Sequence, residues 1–216
     1  MPADRIHLVR HGEVHNPRGV LYGRLPNFRL SDLGQRMARA AAESAHHDHW
    51  PVRRIVASPL QRTRESAAPW SELFGTAVET DSRVIEPYNS FEGKRVREEV
   101  RRPRNWPLLV RPWEPSWGEP FARIADRMIR AMDDAAEEPD GGDVVIVSHQ
   151  LPIWIAHLAI AGKRLSHDPR KRRCALSSIT TFEHQNLARG ASAWRESGYR
   201  EPAAELLAAS TDLGAV

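Results

Sequence analysis

Leu8-Val9-Arg10-His11-Gly12-Glu13 closes an apolar run that starts at Ile6, and the fold is read outward from it. A short apolar segment bounded by turn residues marks a strand buried on both faces, as in a parallel sheet. Ile55–Ala57 and Val144–Val147 are segments of the same kind. Each of the three is followed by a turn and then by helical periodicity. That alternation predicts successive βα units and an α/β protein built on parallel strands.

The helices are read from caps and spacing. Ser31 can cap a helix that carries Leu33, Met37, Ala40 and Ala41 on one face. Ser58-Pro59-Leu60-Gln61 has the form of a capping box with proline at the first helical position. The helix it opens should bury Leu60, Thr63, Ala67 and Trp70, bend at Pro69 and stop at Gly75. Phe121, Ile124, Ala125, Met128, Met132 and Ala135 repeat at helical spacing, and Pro152 opens a further helix that ends near Gly162. Ala175–Phe182 and Ser192–Trp194 read as late strands. Between Arg95 and Gly118 the chain is rich in Pro, Arg and Trp without a sustained period, the pattern of a cap or lid. The expected organisation is one domain over 1–216 with a cap insertion at about 87–118.

Composition narrows the function classes. Hydrophobic residues at 41% and charged residues at 27% are those of an ordinary soluble globular protein. The net charge is only +3, and the excess of arginine over lysine reads as genomic base composition rather than a nucleic-acid surface. Cys174 is the only cysteine, which excludes a disulfide framework and a cysteine-based metal cluster. The first residues enter a strand-like run without a signal-peptide core, and no apolar stretch approaches the ~20 residues of a membrane span. A cytoplasmic protein with no membrane or nucleic-acid partner is expected.

Ligand-binding residues of open α/β sheets gather at the carboxyl ends of the strands. Arg10 and His11 follow the first strand, Arg62 lies in the first turn of the helix after the second, and His149 follows the third. Two arginines and two histidines from three separate strands therefore converge on one sheet edge. A phosphomonoester dianion needs charge-assisted donors on its oxygens, which the planar arginine fork supplies. Neutral His11 can attack phosphorus in line, with its other nitrogen held by a hydrogen bond that fixes the tautomer. Phosphoryl transfer rests largely on positioning and electrostatics, so a basic cage can stand in for a metal ion. The leaving alkoxide needs a proton, and Glu86 is the candidate donor.

Arg10-His11-Gly12-Glu13, Ser58-Pro59-Leu60-Gln61-Arg62-Thr63, Glu86 with Glu92-Gly93, and Val147-Ser148-His149 occur in that order over roughly residues 5–160. The set resembles the histidine phosphatase (phosphoglycerate mutase-like) superfamily. His11 to Pro17 and His149 to Pro152 are most similar to uncharacterised actinobacterial members. The resemblance implies a three-layer α/β/α fold with a mainly parallel central sheet. It also implies His11 as nucleophile, Glu86 as proton donor, and Arg10, Arg62 and His149 as the phosphate pocket, with His149 counted among the catalytic residues too. Asn16 is similar to the family's pocket asparagine, one residue closer to His11 than in many relatives. Gln150 stands where many members have glycine, and the longer segment after Glu86 makes Glu92 a second candidate acid.

Other features carry milder readings. Glu13 can orient pocket groups or pair with an arginine, and His15, close to His11 in sequence, can belong to the site or face solvent. His46-His47-Asp48-His49 resembles a metal-binding string but sits in a polar helix-end loop. Residues 92–114 carry seven Lys/Arg against four Glu, either a cap that recruits a second anionic group or a solvated surface. Trp106, Trp113 and Trp117 can line a pocket or anchor the loop. Lys163–Arg173, with six basic residues and one acid, reads as a solvated loop that steers anions.

Together these features predict a metal-independent phosphatase, without cofactor, that hydrolyses small phosphomonoesters through a phosphohistidine. Two other readings use the same residues. A phosphoglycerate mutase would shield the phosphohistidine from water, although only 33 residues separate Glu86 from Glu119 and the family's mutases have longer insertions there. A catalytically weak protein that binds a phosphorylated partner is the other, and the complete Arg/His/Arg/His set argues against it.

Overall fold

The three apolar segments form the centre of a six-stranded sheet in the computed structural model, which describes residues 3–99, 101–106, 118–137, 141–185 and 190–212. The strands are β1 (Arg5–Arg10), β2 (Val52–Ala57), β3 (Val78–Thr80), β4 (Asp143–Ser148), β5 (Ile179–His184) and β6 (Trp194–Arg200), in the spatial order β3-β2-β4-β1-β5-β6. β3, β2, β4 and β1 are parallel, whereas β5 and β6 extend the sheet antiparallel. The mainly parallel α/β sheet is thus as expected.

Alternate residues of the central strands serve two cores, following the period of two along a strand. On one face Val9, Ile55, Ala57, Val145 and Val147 meet α1 (Asp32–His47) and α2 (Gln61–Phe74) through Ala41, Ala45 and Trp70. On the other, Ile6, Leu8, Val144 and Ile146 meet α3 (Phe121–Glu137) and α4 (Gln150–Ile160) through Ile124, Met128, Met132 and Ile155. Each fully buried aliphatic side chain stabilises the fold by about 1.5–3 kcal/mol. The layers therefore give the strand ends a firm base. Among the described residues no helix is long and apolar enough to cross a membrane.

Register sets the position of the site. Arg10 lies opposite Ser148 and Ala57 opposite Val147, so β1, β2 and β4 end level with one another. The residues that follow them are His11, Ser58 and His149.

Two glycines explain how the chain leaves β1. A Cβ on Gly12 would lie 2.3 Å from the Gly34 carbonyl oxygen, and one on Gly34 would lie 2.0 Å from the Glu13 carbonyl oxygen. The loop after His11 therefore crosses the first turn of α1 backbone against backbone. Ser31 caps that turn as expected, its side chain accepting from Gly34 N at 2.9 Å.

Several local expectations shift. Ser58 does not cap α2: the helix begins at Gln61, Leu60 occupies the cap position, and Gln61 turns to Glu65 instead of back to Ser58. The reason is long-range, since the Ser58 hydroxyl is the partner of His149. Leu60 is only half-buried, while Thr63, Ala67 and Trp70 are buried and Gly75 ends the helix in the left-handed region at φ 65°. α4 starts at Gln150, two residues before Pro152. β5 starts at Ile179 because residues 174–178 turn, with Ser177 at φ 55°. β6 runs on to Arg200, beyond the expected Trp194.

The excursion after Glu86 is closed at its base by an isolated antiparallel bridge between Asn89 and Gly118. Its described part contains single helical turns at Val96–Glu99 and Pro103–Asn105, tied by buried Glu99 to Arg102 (2.6 Å) and Asn105 (2.9 Å). Trp106 is exposed; Trp113 and Trp117 lie outside the described residues. In the 46–49 string, Asp48 bonds His47 at 3.2 Å and Arg200 at 2.7 Å, and His46 packs on Phe74. Among the described residues no three His, Cys, Asp or Glu groups converge as metal ligands.

Candidate active site

His11 stands at the end of β1 with 2% of its surface exposed. Its Nδ1 lies 2.7 Å from the Gly12 carbonyl oxygen, which can only accept, so Nδ1 carries the proton. Nε2 is then left with its lone pair. Burial, followed by the charges of Arg62 and Arg10, holds the His11 pKa well below that of ordinary histidine. The ring is thus neutral at physiological pH.

Both arginines of the expected cage are buried. Arg10 donates from Nη1 to the Cys174 carbonyl (2.7 Å) and from Nη2 to Asp212 Oδ1 (2.6 Å). Burial opposes its charge, but Asp212 outweighs that penalty and raises its pKa. Arg62, from the first turn of α2, donates from Nη2 to the Gly23 carbonyl (2.7 Å) and to His149 Nδ1 (3.1 Å). Its guanidinium lies 4.7 Å from the centre of the Tyr22 ring, a cation–π contact on a buried phenol whose pKa burial pushes up to about 12. The Nε atoms of Arg10 and Arg62 are buried without a hydrogen-bond partner among the described residues.

His149 faces His11 edge-on, with ring centroids 5.2 Å apart. Its Nε2 donates to Ser58 Oγ at 2.8 Å while Nδ1 accepts from Arg62, an assignment forced by the guanidinium's lack of lone pairs. Burial and Arg62 keep it neutral. α4 begins immediately after it with no side-chain cap, so the helix's positive end adds to the pocket.

Glu86 lies against this pair, Oε2 3.5 Å from His149 Nδ1 and Oε1 buried without a hydrogen-bond partner among the described residues. With His149 neutral, the contact is no ion pair. Burial raises the Glu86 pKa above the usual carboxylate range against the pull of Arg62, Arg172 and Arg10. Glu92 is used differently. Its Oε1 accepts from the backbone amides of Arg24 (2.9 Å) and Asn89 (3.3 Å), fixing the Gly23 loop whose carbonyl holds Arg62.

The remaining expected residues support the site from its edges. Asn16 donates to the Val20 carbonyl (2.8 Å) and accepts from Val20 N (3.2 Å), which folds the loop after β1. Glu13 accepts from the Ser31 hydroxyl and from Thr211 N (2.6 Å), so it joins the start of α1 to the C-terminal segment. His15 is exposed. Gln150 reaches the Cys174 carbonyl (3.5 Å) and accepts from Arg172 (3.3 Å).

Four participants escaped the sequence reading: Ser58 as a histidine partner, Tyr22, Asp212 and Arg172. Tyr22 had a signal, the apolar trio Val20-Leu21-Tyr22 inside a polar loop. The arrangement as a whole brings two buried arginines, two neutral histidines and a carboxyl of raised pKa to one edge of the sheet. It can hold a tetrahedral dianion, accept phosphorus on His11 and protonate a leaving oxygen.

Comparison with known proteins agrees with that geometry. Rv0525, an uncharacterized protein of Mycobacterium tuberculosis, is 51% identical over 187 residues, covering 84% of this chain and 91% of its own. Phosphoserine phosphatase 1 of Hydrogenobacter thermophilus is 30% identical over 168 residues, covering 74% of this chain and 77% of its own. The structure of mycobacterial glucosyl-3-phosphoglycerate phosphatase Rv2419c superposes with a TM-score of 0.74 at 24% identity, covering 90% of this chain and 97% of the other, a likeness of fold. Residues 6–196 match the histidine phosphatase superfamily (branch 1), and the chain belongs to that superfamily.

Proposed function

We propose that this protein is a phosphatase that hydrolyses small phosphomonoesters through a phosphohistidine on His11, without a metal ion. One observation carries the reading: a buried, neutral His11 with Nδ1–H fixed on the Gly12 carbonyl, beside Arg10 and Arg62 and the raised-pKa carboxyl of Glu86. The phosphatases named among its relatives are consistent with it.

In the first step the Nε2 lone pair attacks phosphorus, the N–P bond forms and the P–O ester bond breaks. Glu86 gives its proton to the departing alkoxide. The positive charge that develops on the imidazole is held by the Gly12 carbonyl. Arg10, Arg62 and the start of α4 stabilise the phosphoryl oxygens. His149 accepts from Arg62 at Nδ1 and so holds that guanidinium in position for the anion. Asn16 belongs to the same proposal through the loop it folds over this edge. In the second step water attacks phosphorus and yields a proton to the Glu86 carboxylate. The N–P bond breaks, and neutral His11 and free phosphate are regenerated.

Phosphorus NMR of a reaction with 3-phosphoglycerate, 2,3-bisphosphoglycerate primer and EDTA tests the reading. Inorganic phosphate should form much faster than 2-phosphoglycerate. Dominant isomerisation would make the protein a mutase. Turnover lost in EDTA and restored by metal would defeat the metal-free mechanism.

Asp212 makes a further expectation. Its carboxylate is 39% exposed yet sits on Arg10 Nη2, where an incoming phosphate competes with it. Asp212→Asn should tighten competitive inhibition by inorganic phosphate by up to about 5-fold, the scale of a half-exposed ion pair. Weaker inhibition would mean that Asp212 orients Arg10 for the anion.

A further inference from the structure

Arg10 and Arg62 are the two buried arginines among the described residues, and different chemistry holds each. Arg10 has a counter-charge, the Asp212 carboxylate at 2.6 Å. Arg62 has none at ion-pair distance among the described residues. The groups that meet its Nη2, the Gly23 carbonyl and His149 Nδ1, are both neutral. A buried charge without compensation is costly, so something else has to support this one.

Tyr22 is placed to do so. The guanidinium carbon of Arg62 stands over the Tyr22 ring, 4.7 Å from its centre. The face is the negative side of the ring's quadrupole, so it attracts a cation while carrying no formal charge. The same ring meets His11 edge-on at 6.3 Å and is tilted on Phe28 at 5.4 Å. Its backbone is equally fixed. Leu21 N donates to the Lys94 carbonyl (2.9 Å), Gly93 N to the Leu21 carbonyl (2.8 Å) and Leu25 N to the Tyr22 carbonyl (2.7 Å). Tyr22 is thus a buried, firmly held plate that lies against a pocket arginine and the nucleophile together.

A ring serves this position better than a carboxylate would. Nη2 spends both its protons on Gly23 and His149. Nη1 and Nε are left to meet an anion, and Nε is buried without a hydrogen-bond partner among the described residues. A carboxylate here would occupy those donors and repel a phosphoryl dianion. The ring supports the charge from its own face and leaves them open. Bonds at a single nitrogen fix only a pivot, so the ring also limits how far the guanidinium swings about it.

We propose that Tyr22 is a positioning residue, its ring face holding Arg62 charged and aligned so that the open donors meet the phosphoryl oxygens. The proposal rests on the phosphatase reading and concerns how that same site holds its anion.

A double-mutant cycle of Tyr22→Met and Arg62→Gln tests it, read in kcat/KM for p-nitrophenyl phosphate and in inhibition by orthovanadate. Methionine keeps an apolar chain but has no π face, and circular dichroism confirms the fold of each variant. Tyr22→Met should lower kcat/KM and weaken orthovanadate inhibition by about 30-fold, the scale of a desolvated cation–π contact. Tyr22→Phe keeps the ring and should stay within about 3-fold of wild type. In the Arg62→Gln background Tyr22→Met should cost no more than about 3-fold, because the cation it serves is gone. Equal losses from Tyr22→Met in both backgrounds would assign the ring to the fold and not to Arg62. A loss in Tyr22→Phe as large as in Tyr22→Met would give its part to the hydroxyl. Either result overturns this proposal alone. A wild type that hydrolyses no ester overturns the phosphatase reading, and this one with it.

Discussion

Replacing His11 with alanine is expected to lower kcat by at least ~10³-fold, or about 4 kcal/mol in barrier, because the covalent route is lost. The fold should survive. The imidazole contributes one hydrogen bond, to the carbonyl of the next residue, and the backbone crossing at Gly12 and Gly34 does not involve it. Unchanged far-ultraviolet circular dichroism together with collapsed turnover is the expected pair of results. Near-normal turnover would refute the mechanism. The acid limb of the wild-type pH profile should lie below pH 6.5, because burial lowers the pKa of the neutral nucleophile.

The second large effect is expected at Glu86, and it depends on the leaving group. Glu86→Gln should cost about 10²-fold to 10⁴-fold on an alkyl phosphate, the usual worth of a general acid. On p-nitrophenyl phosphate the loss should be much smaller in the first step, because that leaving group departs without a proton. The sign of the pH dependence follows from the raised pKa. The first step needs the protonated carboxyl, so kcat/KM falls as pH rises through the Glu86 pKa, and Glu86→Gln should abolish that limb. Equal losses on both ester types, or an unchanged alkaline limb, would remove Glu86 from the role of acid and return attention to Glu92.

How much of this could be read from the sequence follows from where the information lies. β1, β2 and β4 are central and buried on both faces, so unbroken apolar runs betray them. β6 lies at the sheet edge and is mostly polar from Arg195 to Arg200, so alternation could not mark it. Arg10, His11 and His149 follow from strand order alone, because parallel strands of equal register must end together. Ser58 misled for the opposite reason. Its local pattern is that of a helix cap, but burial beside His149 gave the hydroxyl a partner 91 residues away. Arg172 could not be distinguished within an even run of basic residues, since its half-burial goes with bonds to His167 and Gln150 that no local pattern marks. Asp212 reaches Arg10 from 202 residues away along the chain, beyond any local pattern.

The central claim is that phosphorus is carried on His11, and trapping the intermediate tests it most directly. Wild-type protein would be mixed with a fast ester such as p-nitrophenyl phosphate and quenched into alkali, in which phosphohistidine survives. The phosphoryl group would then be located by peptide mass spectrometry. The account predicts a phosphoryl group on the peptide that contains His11, absent from His11→Ala. A phosphoryl group on any other residue, or turnover with no covalent phosphoprotein at any quench time, would contradict it.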